Sequence, residues 1–102
     1  MKIVTVTYTT TEAYSLPNQQ NIMNVMLELQ RADHPGIRYS ACLCANNTTF
    51  IHTAFFRTDE DQKILSELPS FKIFQEQLRA SGLESPPKQE LLSMIGSSNN
   101  IF

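Results

Sequence analysis

Few side chains in this chain are equipped for chemistry. Its 102 residues include two histidines, three tyrosines, two cysteines and no tryptophan. His52 is the sharpest of them. It lies in the run Thr48–Arg57, whose β-branched and aromatic residues suit a strand. With a side-chain period of two, His52 shares a face with Phe50, Ala54 and Phe56. A neutral imidazole among apolar neighbours can act as a base or hydrogen-bond an oxygen, and the small Ala54 leaves room for a ligand. The same placement also suits a core histidine satisfied by a nearby backbone or hydroxyl group. Tyr8 and Tyr39 carry hydroxyls that could orient a phenolic or carbonyl oxygen. Arg38 could bind a carboxylate and Phe50 could wall a pocket. Each has a plainer role open to it, as a packed amphipathic residue or, for Arg38, a paired or solvent-facing one.

Other constellations are thin. Cys42 and Cys44 are one residue apart, so on a strand they share a face and cannot easily form a mutual disulfide. Buried, inert thiols are the expectation. Neither His34 nor His52 completes a metal-ligand spacing with them, so no metal is expected. His34, beside Pro35-Gly36, is expected in an exposed turn, and Arg57 is expected to meet the acids of Thr58-Asp59-Glu60-Asp61. Met23, Met26 and Met94 are deformable apolar fillers. With three glycines in all, there is no phosphate-cradling loop.

Positioning these residues requires a particular order of elements. Lys2–Thr9 alternates like a strand, with Val4, Val6 and Tyr8 on one face. Thr9–Leu16 reads as a polar connection, and Pro17 is placed to open a helix. Ile22, Val25, Met26 and Leu29 then keep helical spacing until Asp33-His34-Pro35-Gly36 stops it. Ile37–Ala45 and Thr48–Arg57 form two strands around an Asn46-Asn47 turn. Thr58-Asp59-Glu60-Asp61 looks like a helix cap, Pro69 divides the following helical region, and Gly82 caps its end. Lys88–Ile95 reads as the last strand, with Gly96 opening the tail. The order is βαββαβ, an α+β ferredoxin-like plan with a four-stranded antiparallel sheet over residues 1–96 and a tail over 97–102.

A net charge of −2 without a basic cluster argues against a nucleic-acid partner. No apolar run approaches membrane-spanning length, and the N-terminus enters a strand directly, so a cytoplasmic, non-membrane protein is expected. Neither face of the third strand is polar: Phe50 and Phe56 lie on one side, Ile51 and Phe55 on the other. A sheet apolar on both faces needs a second cover, and a second copy of the chain in an isologous homodimer is the simplest one. Ile101 and Phe102 end the tail and are expected to dock across that dimer or against the helices.

The chain resembles the dimeric α/β-barrel superfamily of antibiotic-biosynthesis-type monooxygenases and stress-responsive barrel proteins. The carriers are the aromatic strand Phe50–Phe56, the segment Leu68-Pro69-Ser70-Phe71-Lys72-Ile73-Phe74, and the ending from Pro86-Pro87 through Leu91, Leu92, Met94, Ile95 and Gly96. The resemblance implies two protomers pairing their sheets face to face, each with a cavity between its sheet and its own helices. It also implies binding of a small aromatic or polyketide-like molecule and oxygenation without a bound metal or flavin. In that case His52 would position or deprotonate the substrate and Tyr8 or Tyr39 would orient an oxygen. The alternative is a non-enzymatic homodimer that binds a ligand or a protein. The chain lacks the tryptophan of haem-degrading members, and Ser66-Glu67-Leu68-Pro69-Ser70 has no histidine where many monooxygenase-like members carry one. No catalytic residue therefore transfers by motif.

Overall fold

The computed structural model describes residues 1–102. In chain order the elements are β1 (Lys2–Thr9), α1 (Glu12–Ala32), β2 (Ile37–Leu43), β3 (Thr49–Phe56), α2 (Asp59–Glu67), α3 (Pro69–Ala80) and β4 (Ser85–Leu92). The strands form one antiparallel sheet in the order β2-β3-β1-β4. This is the ferredoxin-like βαββαβ plan, its second helical region split in two.

The split has a local cause. Thr58 caps α2 by accepting from the Asp61 amide, while the Asp61 carboxylate accepts from the Thr58 amide and hydroxyl. Asp59, Glu60 and Asp61 place negative charge at the positive end of the helix. Leu68 then turns extended, as a residue before proline prefers, and Pro69 opens α3 where its missing N–H costs nothing. Gly36 is held against the Asp61 carboxylate so closely that a Cβ there would collide with it.

The largest differences from the sequence expectation lie in α1 and β4; β2 also ends two residues early, at Leu43, and β3 is one residue shorter at each end. α1 starts at Glu12, not Pro17, because Thr11 accepts from the Tyr14 amide and caps the helix early. Pro17 sits inside the helix on an exposed side, where the unpaired carbonyl one turn back can meet water. β4 runs over Ser85–Leu92 and includes both prolines, which an edge strand tolerates because one side of its backbone needs no partner. Beyond Leu92 the chain is irregular. The Asn46-Asn47 turn forms as expected, with Asn47 at φ 65° and the Asn46 side chain accepting from the Thr48 and Thr49 amides.

The helices lie on one face of the sheet. Val4, Tyr8, Ile37, Phe50, Ala54 and Phe56 project into the core there and meet Ile22 and Val25 of α1, Leu65 of α2, and Phe74 and Leu78 of α3. The other face has no helix over it. Arg38, Ser40 and Cys42 of β2 lie there with Ile51, Thr53 and Phe55 of β3 and Thr5 and Thr7 of β1, as the register requires. Cys42 is consequently exposed and Cys44 half-buried, where buried thiols were expected. One-sided cover is the reason: alternation puts the cysteines on the face the helices leave open.

Candidate functional site

α3 stands off the sheet and leaves a partly open cavity of about 470 Å³ between them, with Pro87 and Gln89 of β4 in its lining. Its floor is formed by Val4, Val6 and Tyr8 of β1, Tyr39 of β2 and His52 and Ala54 of β3, and its roof includes Phe71, Phe74 and Leu78. Gln62, Ser66, Gln75, Arg79 and Gln89 add polar groups to the lining. The volume falls within the range of small-molecule sites, as does the pairing of apolar walls with a few polar groups.

A chain of hydrogen bonds crosses the floor. Tyr8 Oη lies 2.7 Å from His52 Nε2, and Tyr39 Oη lies 2.5 Å from His52 Nδ1. Asn18 on α1 donates from Nδ2 to Tyr8 Oη at 2.8 Å. Sheet register brings the rings together: His52 pairs with Val6 on one side and Ala41 on the other, so Tyr8 and Tyr39 flank it on the adjacent strands. Phe50 stacks on Tyr8 with ring centres 5.5 Å apart, and Phe74 packs against His52 at 5.4 Å. The rotamers of the polar chain are thereby fixed by aromatic contacts on both sides.

Burial controls the electrostatics. His52 is 4% exposed, and loss of hydration pulls its pKa down from 6.5 to about 4, so the ring is neutral at physiological pH. Burial also pushes the Tyr8 and Tyr39 hydroxyls well above the ordinary phenol range, so both keep their protons. Both imidazole nitrogens are engaged by tyrosines. The ring is therefore no free base facing a substrate; it can pass polarisation or a proton between the two hydroxyls.

Of the residues singled out in the sequence, Tyr8, Tyr39, Phe50 and His52 converge on the helix-covered face. Tyr8, Tyr39 and His52 line the cavity, while Phe50 buttresses Tyr8 from the side. Arg38 is not with them. It points from the opposite face, donates to the Pro35 and Ile37 carbonyls, and has its guanidinium 5.5 Å from the centre of the Phe102 ring. Arg57 lies 5.3 Å from the same ring and forms no ion pair with Asp59, Glu60 or Asp61, contrary to expectation. Asp61 is already engaged by its cap and lies 3.6 Å from His34, which is half-buried rather than exposed. Phe102 thus meets the open sheet face and not the helices.

Asn18 was missed in the sequence. It is fully buried, and it heads the α1 stripe that continues through Ile22, Val25 and Leu29. A polar residue on that stripe was the available signal, but with the helix opening at Pro17 the stripe was read from Ile22 onward and Asn18 fell outside it.

No protein-family model matches the chain, and no curated protein matches it. Solved structures match it well in shape. Rv0793 from Mycobacterium tuberculosis is 11% identical, with 96% of this chain and 98% of that one covered at a TM-score of 0.79. A point mutant of SnoaB, a cofactor-independent oxygenase from Streptomyces nogalater, is 14% identical, with 97% and 98% covered at 0.69. An antibiotic biosynthesis monooxygenase is 9% identical, with 94% and 100% covered at 0.79. At such identities the likeness is one of fold: this chain has the ferredoxin-like architecture of antibiotic-biosynthesis-monooxygenase structures.

Proposed function

We propose that this chain forms a homodimeric α/β barrel and binds a small aromatic or polyketide-like molecule in the cavity between helices and sheet, with cofactor-independent oxygenation as its chemistry. The observation that carries the reading is a cavity of about 470 Å³ with apolar walls and a buried tyrosine–histidine–tyrosine chain on its floor. SnoaB, which has the same fold, is a cofactor-independent oxygenase. The dimer is supported by the sheet face that the helices leave open.

The chemistry would act on an activated CH₂ group of the substrate. Loss of one proton gives a carbanion, which reduces O₂ and forms the new C–O bond. The resulting peroxide takes up a proton, and loss of water leaves a carbonyl. One oxygen atom enters the product and the other leaves as water, with all four electrons drawn from the substrate.

A second reading, a ligand-binding dimer without turnover, is favoured by one feature: both nitrogens of His52 are already engaged. Anthrone provides an activated CH₂ between two aromatic rings as a probe, with binding followed by calorimetry and turnover by oxygen uptake. Uptake that His52→Ala abolishes while circular dichroism stays native supports the enzyme. Binding without uptake supports the second reading, and absence of binding overturns both.

A further inference from the structure

We infer that Asn18 sets the direction of the hydrogen-bond chain, so that it ends with Tyr39 donating into the cavity, and the site selects ligands presenting an oxygen acceptor there: a ketone, a quinone or an enolate. The ligand half of this inference rests on the cavity being the ligand site; the direction of the chain does not.

The direction follows from counting protons. Asn18 presents its amide nitrogen to Tyr8 Oη, so Tyr8 accepts there. Tyr8 must place its own proton elsewhere, and it is 2% exposed, with His52 Nε2 as its remaining partner. Tyr8 therefore donates to Nε2. A neutral imidazole carries one proton, so it resides on Nδ1 and is donated to Tyr39 Oη. The Tyr39 proton is left over. No protein group accepts it, and Tyr39 lines the cavity.

The opposite direction fails locally. If Nε2–H donated to Tyr8, that hydroxyl would accept twice and its own proton would lack a protein acceptor on a side chain only 2% exposed, whereas Tyr39 is half-buried. If the Asn18 amide were turned about, its oxygen would accept from Tyr8, and the NH₂ group would occupy the buried position where Oδ1 finds no partner. As placed, the unpaired atom is the carbonyl oxygen Oδ1, the more tolerable orphan. Asn18 thus acts as a positioning residue, working on the ligand through three intervening side chains.

The chemical consequence is a preference in kind. An acceptor oxygen on the ligand completes the chain, each donor strengthening the next. Oxyanion character developing on that oxygen, as in an enolate, is met by a donor already in place. A ligand offering only a donor to Tyr39 would meet a proton it cannot pair.

The first test is the tautomer of His52 in the ligand-free protein, read from long-range ¹H–¹⁵N correlations, with a His34→Gln variant to assign the second imidazole. An Nδ1–H signature is expected; Nε2–H overturns the proposal. The second test compares 1,4-naphthoquinone, an acceptor, with naphthalene, a near-isostere without oxygen. Tyr39→Phe is expected to weaken naphthoquinone about fivefold to tenfold and leave naphthalene unchanged, the size of one neutral hydrogen bond. Equal affinities that Tyr39→Phe does not alter overturn the ligand preference. If neither probe binds while Nδ1–H holds, the cavity reading falls and the direction of the chain stands.

Discussion

Phe50 and Ile51 are neighbours in β3, yet 2% of one and 38% of the other meet solvent. The pair samples the two faces of a single sheet. On the covered face, aromatic rings and three helices enclose a polar chain and hold it in one geometry. On the other, apolar and small polar residues of similar β-propensity lie open, with Phe102 seated over two arginines. Strand-forming tendency is common to both faces. Burial separates them, and it is burial that creates a neutral histidine, protonated tyrosines and a shaped cavity.

The widest gap between the faces should appear in packing. Phe50→Ala removes a ring that is buried and stacked on Tyr8, with an expected cost of about 3–5 kcal/mol in urea unfolding. Ile51→Ala should cost under about 1 kcal/mol at protein concentrations low enough to give monomer, since it deletes a partly exposed side chain. At high concentration Ile51→Ala should cost more, because a second copy would then cover it. Similar losses for both variants at every concentration would erase the distinction between covered and open face.

A second gap concerns protons. The His52 pKa falls from 6.5 to about 4 on folding, because burial penalises the charged ring. Between these values the unfolded chain binds the proton more readily. Stability from this group is therefore complete above about pH 6.5, declines as the pH falls, and is lost by about pH 4. The loss should be on the order of 3 kcal/mol. His52→Gln should flatten that part of the profile when urea midpoints are compared across it. An equal decline in both proteins would assign the acid sensitivity to the carboxylates instead.

The same division explains what was legible in the sequence. Period-two alternation put Tyr8, Phe50 and His52 on the right faces of their strands, and the register then had to bring them together. Tyr39 followed from the same rule. Arg38 was legible as lying on the opposite face, but grouping it with a pocket ignored that parity. Alternation does not say which face a helix will cover, and this is why the cysteines were expected to be buried. Asn18 required a correct helix start, and that depended on Thr11 capping before Pro17. The cavity was expected only from the family resemblance and not from residue patterning, because the distance between α3 and the sheet arises from packing and not from any local pattern.

The smallest expected effect lies at the tail. Phe102 brings an aromatic ring to Arg38 and Arg57, a contact of about 0.5–1 kcal/mol per exposed cation. These arginines form no ion pair with an acidic side chain, and the face of the Phe102 ring is what meets their charge. Removing Ser97–Phe102 would uncover both guanidiniums, and in the proposed face-to-face dimer each copy would bring the same pair of charges. Association should weaken about threefold to tenfold, with the deficit shrinking at high salt as like-charge repulsion is screened. Sedimentation on dilution measures the first, and repeating it in salt measures the second. Unchanged dissociation would make the tail a passenger on the open face. A deficit that salt does not relieve would assign its contribution to the apolar contact of Ile101 and Phe102 rather than to charge.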